Sequence, residues 1–189
     1  MQRESAVFTI GHSTRPVGEL TDLLKQVGVT LLVDVRSVPR SRANPQFNAD
    51  TLPATLAAAE IGYRHLAALG GLRRSPKGAP QSPNTLWRNN SFRSYADYAM
   101  TGPFRDGLDT LCALAGEQCV AIICAEAVWW RCHRRIIADY LLERGYAVTH
   151  IMGPGQFAPA SLTPGAQCLP DRTIFYAVSE DLFGRGLDP

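Results

Sequence analysis

The sequence lacks several features that would place it in a specialised class of protein. It has no run of about 18 consecutive apolar residues, which excludes a helical membrane span of the usual length. Its first 13 residues, MQRESAVFTIGHS, contain one Arg and a short apolar run, which is not the pattern of a signal peptide. Charged residues make up 19% and aromatic residues 8% of the 189 positions, far from the composition of disordered or fibrous chains. We therefore expect a cytoplasmic globular protein with no membrane partner.

Paired cysteines are also missing. The chain has five Cys, an odd number, and no CxxC pair occurs among them. In the cytoplasm these residues would be free thiols, so the sequence predicts no disulfide framework.

Positive charge is concentrated in one part of the chain. Residues 36–94 contain nine Lys or Arg and two acids, although the whole chain has a net charge of +2. A basic segment in an otherwise acidic protein favours an anionic ligand. The Gly-rich stretch 70–78 lacks the GK[ST] ending of a Walker phosphate loop, so that mode of nucleotide binding is not expected.

Short apolar runs alternate with amphipathic stretches along the chain. The runs predict strands over residues 7–10, 31–35, 63–66, 119–124, 147–152 and 173–178. The 3.6-residue periodicity predicts helices over 17–27, 50–60, 92–100, 104–115 and 130–144. Long Gly- and Pro-rich loops, which we expect to be functional or mobile, fall at about 36–48, 70–90 and 153–170. This order predicts a single α/β domain over residues 1–189, with three layers and a mostly parallel, Rossmann-like sheet built from β-α-β units.

Candidate catalytic residues follow the predicted strands directly. Because open α/β sheets bind ligands at the carboxyl ends of their parallel strands, we expect these residues to share one edge of the sheet. An imidazole titrates near neutral pH, a helix N-terminus lowers the pKa of a thiol, and a carboxylate can act as a general base. The predicted catalytic residues are His12, Cys124, Glu126 and His133. The alternatives are a helix-capping role for His12, an inert buried thiol at Cys124 and a core-lining role for His133.

The same edge is expected to hold an anion. Asp34 is the only polar residue of its predicted strand, and a buried carboxylate needs a partner, which Arg36 can supply from two positions on. Arg and Lys alternate with aromatic residues over 73–95, a composition that suits phosphate contacts and base stacking, or else a solvated loop. The predicted ligand-binding residues are Asp34, Arg36, Arg40, Arg42, Arg73, Arg74 and Arg134.

The cysteine spacing leaves two further chemistries open. A phosphatase or sulfurtransferase loop needs an Arg six positions after its Cys, whereas Trp130 follows Cys124 at that distance and Arg131 comes one position later. A zinc site could use Cys124, Cys132 and His133, but the spacing of the two Cys and the missing CxxC make it the least favoured interpretation. Neither a metal nor a cofactor is predicted.

Several short motifs resemble the bacterial family known as domain of unknown function 488. The similarity lies in Thr9–Ser13, Val33–Ser37, Pro39–Arg42, Pro45–Asn48, Leu69–Gly71, Cys124–Glu126 and Cys132–Arg134, in the expected order and over most of the chain. The segment Val128–Arg131 replaces a more polar connection that the family usually has. The resemblance implies no particular reaction, but it implies that these are signature positions: His12, Asp34, Arg36, Arg40, Arg42, Cys124, Glu126, Cys132, His133 and Arg134.

The expected function is that of an enzyme, a hydrolase or a transferase, acting on a phosphate-bearing ligand such as a nucleotide, DNA or RNA. Two alternatives remain at this point. One is a non-catalytic nucleic-acid-binding or adaptor module that uses only the basic segment. The other is a thiol-dependent phosphatase or sulfurtransferase that uses Cys124 as its nucleophile.

Overall fold

A six-stranded sheet lies at the centre of the computed structural model, which describes residues 6–76 and 78–178. In chain order its strands are β1 (Ala6–Gly11), β2 (Leu31–Asp34), β3 (Gly62–His65), β4 (Val120–Cys124), β5 (Ala147–Gly153) and β6 (Gln156–Pro159). Across the sheet the order is β3-β2-β4-β1-β5-β6. The first five strands of that order are parallel, and β6 pairs antiparallel with β5.

Within the described ranges, five helices cover the two faces of the sheet: α1 (Val17–Gln26), α2 (Leu52–Ala57), α3 (Asn90–Ala99), α4 (Gly102–Glu117) and α5 (Arg134–Glu143). Residues of α1 and α2 share one buried cluster, and residues of α3, α4 and α5 share another. Strand β2 separates the clusters, since Leu32 belongs to the first while Leu31 and Val33 belong to the second. Alternating side chains of one strand thus serve both cores, as expected for a sheet between two helical layers.

The strand order explains why the helices divide in this way. The chain moves in one direction across the sheet from β1 to β2 to β3, and in the other direction from β3 to β4 to β5. Because crossovers between parallel strands are right-handed, opposite directions place the connecting helices on opposite faces. The connections after β2 and β4 therefore diverge although these strands are neighbours, which creates a crevice at their carboxyl ends.

The predicted fold class is confirmed, and several differences lie at the ends of elements. Helix α2 ends at Ala57 rather than residue 60. The helix predicted over 130–144 is a 3-10 turn (Trp129–Arg131) followed by α5 from Arg134 onwards. Among the described residues, no helix is long and apolar enough to cross a bilayer.

The region 153–170, predicted to be a loop, contains two strands. One is β6, and the other is β7 (Ala166–Cys168), which pairs antiparallel with β8 (Ile174–Tyr176) in a separate small sheet. The last predicted strand therefore does not join the central sheet. The Gly and Pro content of this region predicted a loop. Pro159 is nevertheless compatible with β6, because β6 is an edge strand, and an edge strand tolerates a proline that a central strand would exclude.

Candidate active site

The carboxyl ends of β1, β2 and β4 meet at the crevice. Gly11 is in register with Cys124 across the sheet, and Asp34 is in register with Ile123. The pairing continues beyond the strands, since the His12 amide donates to the Cys124 carbonyl over 2.9 Å. A Cβ atom at Gly11 would lie 1.9 Å from the Glu126 carbonyl oxygen, so the close approach of these two segments requires glycine.

A buried ion pair forms the floor of the crevice. Asp34 is fully buried, and its carboxylate accepts hydrogen bonds from Arg36 Nε at 2.9 Å and Nη2 at 2.5 Å. The Arg36 amide and the Tyr63 hydroxyl also donate to this carboxylate, at 3.0 and 2.7 Å. Burial and the Asp34 carboxylate together raise the pKa of Tyr63, which remains a donor. The contact that the spacing predicts is present, whereas ligand binding by Asp34 and Arg36 stays a prediction.

His12 is held by the same arginine. Its Nδ1 lies 2.9 Å from the Ser13 carbonyl oxygen, which can only accept, so Nδ1 carries the proton. The Nε2 atom then accepts from Arg36 Nη1 at 3.2 Å, and the ring stacks on Phe47 with centroids 4.3 Å apart. Burial, opposed by the Ser13 hydrogen bond and reinforced by the charge of Arg36, lowers the pKa of His12. In this arrangement both ring nitrogens are occupied, and the imidazole orients Arg36.

Two thiols and an imidazole converge beside this ion pair. Cys124 ends β4, while Cys132 and His133 directly precede α5, and the turn at Trp129–Arg131 brings the two segments together. His133 Nδ1 lies 3.8 Å from Cys124 Sγ and 3.6 Å from Cys132 Sγ. On its other side, His133 Nε2 donates to the Val35 carbonyl over 2.8 Å. Because Nε2 carries the proton, the lone pair of Nδ1 faces both sulfur atoms.

Arg134 is buried behind the thiols. Its Nε donates to Cys132 Sγ over 3.3 Å, and its Nη2 donates to the Glu126 carbonyl over 2.5 Å. Arg134 was expected to meet an anion or a carboxylate, but in this structure its partners are a thiol and a backbone carbonyl. It lines neither of the cavities described below, so its predicted role in ligand binding stays untested.

The two thiols differ in acidity. Burial alone would raise the pKa of Cys132, but the hydrogen bond from Cys124 and the charge of Arg134 lower that pKa well below its usual range. For Cys124, the hydrogen bond with Cys132 and then burial raise the pKa. The sequence predicts a lowered pKa at Cys124, whereas the lowering falls on Cys132, chiefly because Cys124 donates a hydrogen bond to the Cys132 sulfur. Spacing along the chain does not reveal this contact between the two thiols.

Two adjoining cavities open at the crevice, and we call them together the cleft. The smaller, of about 290 Å³, is lined by the thiols, His133 and the aromatic side chains of Phe92 and Tyr95. The larger, of about 480 Å³, has a polar lining that includes His12, Ser13, Thr14, Arg40, Ser41 and Asn44. Both cavities are lined by Arg36, Val38, Ala125, Glu126 and Arg131. The cleft thus joins a thiol–imidazole end to a polar, basic end.

The remaining predicted residues lie in different surroundings. Glu126 is exposed, and Arg40 is exposed and 3.6 Å from Asp50. Arg42 and Arg74 are exposed and line neither cavity. Arg73 donates to the Gly70 carbonyl over 2.9 Å and lies 3.7 Å above the Tyr98 ring, so its guanidinium supports the loop. The structure therefore leaves Arg42, Arg73 and Arg74 apart and brings together the other predicted residues: His12, Asp34, Arg36, Arg40, Cys124, Glu126, His133 and, behind the thiols, Arg134.

Most of these residues lie within a stretch that matches a known family. The family model described as "Domain of unknown function DUF488" matches residues 16–141. The chain belongs to the DUF488 family. The match covers Asp34, Arg36 and Cys124–Arg134, while His12 precedes it. A search of curated proteins and a search of solved structures each found no significant match. The chemistry of this DUF488 protein must therefore be inferred from its own site.

Three residues of the DUF488 site were missed from the sequence. A Cβ atom at Gly71 would lie 2.4 Å from His133 Nδ1, so only glycine fits against the imidazole. The Tyr95 ring meets the His133 ring edge-on with centroids 5.0 Å apart, whereas the sequence left base stacking or a solvated loop open for the aromatic residues of 73–95. Arg131 lines both cavities but was set aside because its spacing from Cys124 did not fit a phosphatase loop. Its position on the turn between Cys124 and Cys132 was the signal that could have identified it.

Proposed function

We propose that this DUF488 protein is an enzyme, a hydrolase or a transferase, that acts on a phosphate-bearing ligand bound in the cleft. One observation carries the proposal: a cavity rich in cationic and hydroxyl groups adjoins a thiol–imidazole cluster, with Arg36, Glu126 and Arg131 common to both. A ligand in the cleft would thus have its charge held at one end and its reactive bond near the other.

The polar end has the groups that phosphate binding needs. Arg40 and Arg131 supply guanidinium donors, whose planar geometry suits phosphate oxygens. Ser13, Thr14 and Ser41 add hydroxyl donors around them. Charge-assisted hydrogen bonds from such groups contribute about 1.5–3 kcal/mol each, enough to select an anion over a neutral ligand.

Glu126 is suited to proton transfer in this cleft. Among the described residues it is the only carboxylate that lines either cavity, and it lines both. It is exposed to solvent, so it can exchange protons freely. A carboxylate in that position serves as a general base or acid for a ligand that spans the cleft.

The basic segment supports a small ligand better than a long nucleic acid. Three of its guanidinium groups are engaged inside the protein: those of Arg36, Arg73 and Arg93, the last of which donates to the Trp87 carbonyl. Trp87, a predicted stacking residue, is buried between Phe92 and Tyr176. The basic segment therefore offers a nucleic-acid strand fewer free cations and fewer exposed aromatic rings than its composition indicated. This favours the enzyme over the non-catalytic nucleic-acid-binding module.

Calorimetric titration tests the binding half of the proposal, with inorganic phosphate and adenosine monophosphate as probes. We expect Arg131→Ala to weaken binding about 10- to 100-fold, since a charge-assisted hydrogen bond is lost. Arg42→Ala is the matched control, because Arg42 belongs to the same basic segment but lines neither cavity, and it should bind as the wild type does. Equal affinities in both variants, or no binding of either probe to the wild type, would overturn the proposal.

Turnover of a chromogenic phosphate ester tests the catalytic half. Glu126→Gln preserves the shape of the side chain but removes its proton-transfer capacity. We expect phosphate binding within about twofold of wild type and turnover lowered by about 10²–10⁴, the usual contribution of general acid–base catalysis. If the wild type hydrolyses or transfers no phosphate group, or if Glu126→Gln turns over at the wild-type rate, the catalytic role is wrong.

A further inference from the structure

The Cys124–Cys132–His133 cluster has the dimensions of a metal site. A tetrahedral zinc ion with Zn–S of about 2.3 Å and Zn–N of about 2.0–2.1 Å places sulfur and nitrogen ligands about 3.5 Å apart, and two sulfur ligands about 3.8 Å apart. The two measured separations from His133 Nδ1 to the sulfur atoms are 3.6 and 3.8 Å. All three donor atoms lie within 4.8 Å of one another. The separations from Nδ1 to the two sulfur atoms are thus close to those that one shared ion requires.

Contacts behind the donors orient them toward a common point. The hydrogen bond from His133 Nε2 to the Val35 carbonyl fixes the tautomer in which Nδ1 is the ligand atom. The hydrogen bond from Arg134 Nε to Cys132 Sγ stabilises a negatively charged sulfur. Such outer contacts accompany most metal-binding histidines and thiolates.

The electrostatics also favour a divalent cation. Two thiolates and a neutral imidazole carry a charge of about −2, of which the Arg134 guanidinium at Cys132 Sγ offsets about one unit, so a divalent ion still meets a net negative charge. Both thiols are buried, and buried charges are stable only when they are paired. Two sulfur ligands and one nitrogen ligand select zinc over magnesium or calcium, which prefer oxygen ligands.

We propose that Cys124, Cys132 and His133 bind one Zn²⁺ ion whose fourth coordination position opens into the smaller cavity. All three residues line that cavity, and Gly71 leaves free the space beside Nδ1 that a side chain would fill. Three protein ligands with one open position characterise catalytic rather than structural zinc. The fourth ligand is water or an oxygen atom of a bound anion. This site goes beyond the proposed function, because it holds zinc whether or not a phosphate enters the cleft.

Metal titration of the full chain tests the site directly. The protein is stripped with a chelator under reducing conditions, and Zn²⁺ is added in competition with a chromophoric chelator. We expect one equivalent to bind, and Co²⁺ in its place to give a thiolate-to-metal charge-transfer band. Cys132→Ser should weaken zinc binding by more than about 100-fold, since loss of outer contacts alone weakens metal sites about 10- to 100-fold. The matched control is Cys168→Ser, an exposed thiol in β7 outside the cluster, which should bind zinc as the wild type does.

A second readout keeps the proposal testable if Cys132→Ser folds poorly. In the wild type, bound Zn²⁺ should slow alkylation of Cys124 and Cys132 by iodoacetamide at least tenfold, while Cys168 is alkylated at an unchanged rate. Binding of less than one tenth of an equivalent, or alkylation of the two thiols that zinc does not slow, would overturn the proposal. Phosphate binding is measured separately through Arg131→Ala on the metal-free protein, so failure of the zinc site and failure of the proposed function are distinguishable.

Discussion

Removal of the Asp34 charge is expected to destabilise the fold strongly. The Asp34→Asn variant keeps the size of the side chain but leaves the Arg36 guanidinium buried without its counterion. Loss of one partner from a buried ion pair is typically destabilising by about 3–5 kcal/mol. That is about one fifth or more of the roughly 5–15 kcal/mol by which a domain is stable, so the urea midpoint should fall by about one fifth or more.

The matched control is Asp50→Asn, which breaks an ion pair of the same chemistry at the surface. Asp50 lies 3.6 Å from Arg40, and both side chains are largely exposed. Exposed pairs contribute about 0–1 kcal/mol, so the Asp50 variant should unfold near the wild-type midpoint. Urea unfolding followed by circular dichroism gives both midpoints and slopes. Equal midpoints for the two Asn variants, at unchanged slope, would refute the assignment of Asp34 as a buried counterion.

Two further predictions concern one residue of strand β5 and one of strand β1. Burial and the charge of Arg134 lower the pKa of His150 from 6.5 to about 4, so the folded state resists its protonation. The contribution of neutral His150 to the free energy of unfolding is therefore fully present above pH 6.5 and is lost as the pH falls toward 4. At about 1.4 kcal/mol per pKa unit, the loss is up to roughly 3 kcal/mol. Unfolding measured across this range should show a shallower pH dependence in His150→Gln, and an unchanged dependence would contradict the reasoning. Gly11→Ala should destabilise by about 1–3 kcal/mol, because its Cβ would meet the Glu126 carbonyl, whereas Gly18→Ala in helix α1, with open space around it, should be neutral or stabilising. A thermal melt that ranks the two glycine variants in the opposite order would contradict this prediction.

The fold and the general location of the site could be predicted because both depend on local patterns. Apolar runs and helical periodicity identified the β-α-β units, and strand ends of a parallel sheet necessarily share an edge. Asp34 stood out as the lone acid of an apolar strand, and two-residue spacing placed Arg36 on the same side.

The rest of the site depends on contacts between distant segments. The spacing of Cys124 and Cys132 made a zinc site shared with His133 the least favoured interpretation, because it does not reveal that a 3-10 turn brings both sulfur atoms within hydrogen-bond distance of one imidazole nitrogen. The sequence could not distinguish Arg73 from an arginine that binds a ligand. Its hydrogen bonds to backbone carbonyls form only because of how the loop folds. Tyr95 was ambiguous for a related reason, since an aromatic residue with helical spacing suits a core as well as a binding surface.

The Val35 carbonyl couples the position of one helical layer to the orientation of a side chain in the other. It belongs to the segment that leaves the sheet toward α2, yet it accepts the hydrogen bond that orients His133 at the start of α5. A sideways shift of either layer would therefore rotate the imidazole away from the sulfur atoms without any change in the cysteines themselves. Substitutions in the packing of α2, remote from the cleft, are therefore expected to change the position of the imidazole while the three residues themselves stay the same.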